Sequence, residues 1–320
     1  LGQLDPTLLM NGLYSVFIEA TDKSGNTTLE GIAVKVDENL KLGNFTISYL
    51  DMSVPVAGLP INISRTYDSR QRNEKLDFGH GWSIGYQDVR IQESRALGSY
   101  WERTQEGGML KVYCVQPLGS PTVTITLPTG EVETFTVKAD RRCGSLGEAH
   151  LYINLAFEPQ GDTSSTLIEN THGQVRLDVQ RGILFELDAP GVPIDPSSYT
   201  LTTREGYIYS LDQNFGIRAI TDPNGNRIEY KEDGVYYGGE RYITFIRDGL
   251  GRIEKIVDPM NNMVQYFYDQ AGDLEKVIDQ AQEETRFGYY IGTHYLEDIE
   301  YDLDGEIVKP VTNHYDDDGR

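Results

Sequence analysis

Two stretches in the last third of this 320-residue chain are versions of each other. Phe245-Ile246-Arg247-Asp248-Gly249-Leu250-Gly251-Arg252-Ile253-Glu254-Lys255-Ile256-Val257-Asp258 returns as Tyr266-Phe267-Tyr268-Asp269-Gln270-Ala271-Gly272-Asp273-Leu274-Glu275-Lys276-Val277-Ile278-Asp279, a period of 21 residues. Each unit reads strand, Asp-x-x-Gly turn, strand. A unit this short cannot bury an apolar face alone, so it must stack on its neighbours in an extended sheet. The pattern predicts an all-β scaffold.

The rest of the chain agrees with that class. Tyr14-Ser15-Val16-Phe17-Ile18-Glu19-Ala20 and Thr122-Val123-Thr124-Ile125-Thr126-Leu127 alternate with period two, as half-buried strands do, and no segment has helical periodicity. Hydrophobic residues make up 38%, enough for a core. Lys+Arg 28 against Asp+Glu 50 leaves a net charge of −22, a field that repels nucleic acid and anionic lipid. It is compatible with solubility outside the cell, Ca²⁺ association or a basic partner. Cys114 and Cys143 are the two cysteines; one bridge and two buried thiols are both open. No leader or membrane-spanning run is evident, and membrane insertion by this segment is not expected. The opening at Leu1 and the halt in mid-motif at Asp318-Gly319-Arg320 read as those of a piece of a longer protein.

Three segments follow from the pattern. In residues 1–38, two alternating runs flank Asp22-Lys23-Ser24-Gly25-Asn26 and predict a β-hairpin. Its G-x-Y-x-x-x-[IL]-x-A-x-D-x-x-G-N pattern resembles the last hairpin of bacterial immunoglobulin-like or fibronectin-like sandwich modules. Residues 39–200 begin with Gly58-Leu59-Pro60-Ile61-Asn62-Ile63-Ser64-Arg65-Thr66-Tyr67-Asp68-Ser69 and Phe78-Gly79-His80-Gly81-Trp82, then continue in irregular strands. Residues 201–320 carry repeats, with Tyr268-Asp269-Gln270-Ala271-Gly272, Tyr301-Asp302-Leu303-Asp304-Gly305 and Tyr315-Asp316-Asp317-Asp318-Gly319 sharing the spacing YDxxG. The order R-x-Y-D-S, F-G-x-G-W and YDxxG resembles the opening of the repeat shell of bacterial Rhs/YD-repeat proteins, distant relatives of animal teneurins. The resemblance covers about 39–320 and is weakest between 88 and 198. It implies a spiral of β-hairpins forming part of a hollow β-shell around a C-terminal cargo, often a toxin. The self-cleaving motif of that family has no match in this chain.

Locally, Gly79 and Gly81 permit positive φ and let Trp82 fold into the sheet interior. Arg65 is expected to pair with Asp68 or to span to a neighbouring strand. Tyr67, Asp68, Tyr268, Asp269 and Gly272 complete the set of structural motif residues. The longer unit through Tyr236-Tyr237-Gly238-Gly239-Glu240 is expected to bulge from the sheet.

Chemistry is sparse. No nucleophile elbow, Walker loop, HExxH or CxxC pair occurs, so no catalytic residue and no cofactor are assigned. His80, His150, His172, His294 and His314 are scattered, each expected in a turn or at the surface. Asp302, Asp304, Asp316 and Asp318 are weak Ca²⁺ candidates, alternate carboxylates around a Gly turn, without the Glu that closes an EF-hand. Tyr numbers 21 against Phe 10, which suits cross-strand ladders better than a ligand surface, although exposed Tyr can also stack on sugars.

The expected function is a non-catalytic scaffold segment of a secreted or surface-exposed Rhs/YD-repeat protein, partnered by its own C-terminal cargo domain. The alternative is an adhesion or glycan-binding module at the cell surface, partnered by a surface glycan or protein.

Overall fold

The computed structural model describes residues 12–21, 27–36, 44–106, 112–140, 143–145, 152–303 and 305–316. These residues are all-β, with antiparallel strands, two three-residue 3-10 turns and no α-helix. No helix among them is long and apolar enough to cross a membrane. The hairpin predicted near the N-terminus is present, Gly12–Thr21 paired with Thr27–Val36 in a two-stranded sheet.

The largest sheet has thirteen strands. Thr166–Glu169 forms one edge, and from Ser198–Thr202 to Glu306–Thr312 each strand is hydrogen-bonded to its neighbours in sequence. Its regularity comes from one recurring turn. At Asp222, Asp248, Asp258, Asp269 and Asp279 the aspartate N–H donates to the carbonyl four residues on, and its own carbonyl accepts from the N–H three residues on. The carboxylate binds the same loop: Asp258 Oδ1 accepts from the N–H groups of Met260 and Asn262, both at 2.8 Å. Such a turn needs its fourth residue in the left-handed region, and Gly225, Gly251 and Gly272 sit there at φ +88°, +88° and +93°. Asn261 and Gln282 take the same place at +71° and +68°. At Arg247 and Tyr268 a register shift beside the turn completes a bulged hairpin.

The longer unit does not bulge from the sheet as expected. Gly238 and Gly239, at φ +62° and +87°, make a two-residue turn between Gly234–Tyr237 and Glu240–Arg247, so the extra residues become strands within the sheet.

Two compact units are formed. The first joins the described residues between 40 and 88 to those between 218 and 320. In it a three-stranded sheet of Thr46–Val54, Ile61–Asp68 and Trp82–Ile84 buries Ile61, Ile63, Tyr67, Trp82 and Ile84. The repeats contribute the other half of that core through Ile243, Phe245, Val264, Tyr266, Leu274, Val277 and Phe287.

The second unit comprises the described residues between 11 and 39 and between 89 and 217. Its four-stranded sheet runs Leu155–Pro159, Val132–Ala139, Thr122–Thr126, Arg90–Glu93, over a core that includes Val123, Ile125, Phe135 and Val137. A turn at Pro128-Thr129-Gly130 closes one of its hairpins. Cys114 and Cys143 face each other across paired strands and form a disulfide.

Candidate functional site

The motif residues of the opening segment converge on the repeats within the first unit. Arg65 is 1% exposed, and its guanidinium forks onto Asp51, Nε to Oδ2 at 2.9 Å and Nη2 to Oδ1 at 3.1 Å. Asp51 sits where the register between the first two strands slips, so a β-bulge turns its carboxylate toward Arg65. Of the two partners considered for Arg65, the neighbouring strand is the one used. Asp68 lies three residues along the same strand and so on the opposite face; it pairs with Arg70 and caps the turn Ser69–Gln71.

Aromatic rings enclose the buried cation. The Arg65 guanidinium lies 4.5 Å from the Tyr49 ring centre, 4.7 Å from Trp82 and 5.2 Å from Phe287. The Tyr266 hydroxyl donates to Asp51 Oδ2 at 2.7 Å, so the ion pair has a third partner from the repeats. The Tyr67 hydroxyl donates to the His294 carbonyl at 2.8 Å and accepts from the Leu296 N–H at 3.0 Å. Trp82 Nε1 donates to the Tyr289 hydroxyl at 2.8 Å. Burial pushes the hydroxyls of Tyr67, Tyr266 and Tyr289 well above the ordinary tyrosine range, so they stay protonated donors.

The repeat tyrosines act as pegs. Tyr268 donates to the Ile253 carbonyl and Tyr289 to the Leu274 carbonyl, each tying one unit to the one before it. Asp269 and Gly272 build the turn between them. Gly79 and Gly81, at φ +90° and +74°, lie so close to the repeats and the core that a Cβ would fall 2.5 Å from the Gly272 carbonyl and 2.8 Å from the Tyr67 ring.

Between these turns and the hairpin Lys75–Leu76/Gly79–His80 lies a cleft of about 540 Å³. Asp77 and Arg247 form an ion pair at 2.6 Å on its wall, and Arg252 is held by Asp248 over the Tyr268 ring. His80 is the histidine of this cleft, and it is buried at 7% exposure rather than lying at the surface. Its ring stacks on that of His294, centres 3.7 Å apart and planes 8° from parallel. His294 Nδ1 reaches both Asp273 oxygens, at 2.8 and 3.0 Å. Nothing in the spacing of the two histidines announces this pairing; the glycines flanking His80 are the one local signal of a close approach. Of the other histidines, His172 Nδ1 lies 3.1 Å from Glu186 and His314 is near the Tyr290 hydroxyl, while His150 lies outside the described residues.

Of the calcium candidates, Asp302 accepts from the Gly305 N–H, and Asp304 and Asp318 lie outside the described residues. Asp316 has a partner of its own. Among the described residues no three His, Cys, Asp or Glu side chains converge as a metal site would require.

The family described as domain of unknown function (DUF6531) matches residues 39–110, which takes in Arg65, Tyr67, Gly79, Gly81 and Trp82. No curated protein matches the chain.

Proposed function

We propose that this chain is a non-catalytic scaffold segment of a secreted or surface-exposed protein of the Rhs/YD-repeat kind, whose repeats belong to a shell around a C-terminal cargo domain. One observation carries the reading: hairpins follow one another through the sheet in sequence order, five of them closed by the same aspartate turn, with Tyr268 and Tyr289 each pegging a unit to the one before it. Such an array lengthens by adding units at an edge, and among the described residues Glu306–Thr312 presents one. The opening segment anchors it, because Arg65, Tyr67 and Trp82 each hydrogen-bond an internal partner. The disulfide supports an oxidising compartment. The burial of Tyr67 and Tyr266 favours this reading over sugar stacking.

The test is protease protection of whatever domain follows the repeats in the intact protein. A cargo domain resistant within the intact protein and cleaved once expressed alone supports the shell. Equal cleavage in both contexts, together with hits on a glycan array, transfers the case to the adhesion reading.

A further inference from the structure

The stacked histidines join two parts of the first unit that are distant in sequence. His80 belongs to the opening segment and His294 to the turn after Glu284–Tyr289, whose carbonyl also receives the Tyr67 hydroxyl. We infer that the His80–His294 stack with Asp273 is an acid-labile clasp, which holds the opening segment on the repeats at neutral pH and loosens in acid.

The argument is a count of charges in a confined space. Asp273 is the carboxylate in contact with the stack, and it can offset one imidazolium. A second imidazolium, face to face with the first at 3.7 Å, meets like charge with little water between. The neighbours do not relieve it. Lys75 lies opposite His80 in its hairpin and opposes a further positive charge. Arg252 lines the same cleft and is committed to Asp248, as Asp77 is to Arg247. Asp269 is the other carboxylate of the turn, and its charge acts on Asp273. A hydrogen bond with the Arg72 backbone favours the charged ring. Tyr67, Tyr268 and Tyr289 remain neutral throughout.

Burial first, and then His294, lower the pKa of His80 below the ordinary histidine value. Above about pH 6.5 the ring is neutral whether the clasp is closed or open, and closure loses nothing. Below it the open state gains a proton that the closed state refuses, so closure weakens as pH falls, until the closed ring also titrates.

The experiment follows histidine ring signals by NMR and amide exchange of Trp82–Ile84 and Leu296 in the intact 320-residue chain. His80 is expected to titrate below a free imidazole, and the opening equilibrium to rise by up to about tenfold per pH unit below pH 6.5. His80→Phe keeps a stacking ring without the proton and should abolish that slope. Asp273→Asn removes the offsetting carboxylate and should move opening to higher pH. A His80 titration at or above the free value overturns the clasp, and so does a slope that survives in His80→Phe. Should that variant not fold, the wild-type titration still decides.

Discussion

Single residues carry unusual weight where charge is buried. Arg65 and Asp51 are almost wholly out of water and are joined by a two-bond fork, while Arg65 Nη1 is buried without a hydrogen-bond partner. Arg65→Met leaves Asp51 buried with only the Tyr266 hydroxyl, and should cost about 3–5 kcal/mol in urea unfolding. Replacing Asp51 with Leu in the same chain should recover much of that loss, the expected sign of coupling within one pair. Glu93 shows the opposite case in the second unit. Burial pushes its carboxyl up to about 7, against the Tyr199 and Gln213 bonds that favour the charged form. Below pH 4.5 the group is protonated in both folded and unfolded chains and has no effect on stability. Between there and pH 7 the unfolded chain sheds its proton first, so the folded state loses ground. Glu93→Gln should therefore leave stability unchanged near pH 4 and raise it by roughly 1–3 kcal/mol at pH 8, read from melting curves across that range.

At the scale of the element, the aspartate turn is the unit of design. Asp258 satisfies two backbone N–H groups and the Asn262 side chain, so Asp258→Ala should destabilise by about 1–2 kcal/mol, with exchange accelerated first in the two flanking strands. Gln282 holds a left-handed φ that a long side chain adopts at a cost, and Gln282→Gly should raise stability by up to about 1 kcal/mol in thermal melting. These turns were legible in advance where glycine marks them, as at Gly251 and Gly272, because only glycine takes that conformation freely. The extra hairpin at Gly238-Gly239 reads as a bulge in the sequence, since a longer unit is ambiguous until its alternating flanks find partners. Asp51 was not foreseen as the partner of Arg65. A bulge is a mismatch between two strands, and one strand's sequence does not contain it.

For the molecule as a whole, the sequence announced class and repetition, while contacts between its distant parts had no local sign. His80 with His294 and Tyr49 with Tyr301 are pairs of this kind. The disulfide likewise stood open until Val112–Pro117 and Cys143–Ser145 were seen side by side. It spans 29 residues, and its reduction should remove about 3–4 kcal/mol by restoring freedom to the unfolded chain, seen as a lower melting temperature in dithiothreitol. The contacts between the opening segment and the repeats also set an order in time. Trp82 meets the Tyr289 hydroxyl 207 residues downstream, and Tyr67 meets Leu296 229 residues downstream. At ribosomal speeds of roughly 5–20 residues per second, Tyr67 and Trp82 wait roughly 10–45 s for the partners that bury them. Hairpins of the array can zip as they emerge, but their foundation is sealed last. A ribosome stalled midway through the repeats would therefore display a sticky aromatic surface, a built-in mark of an unfinished product for chaperones to read.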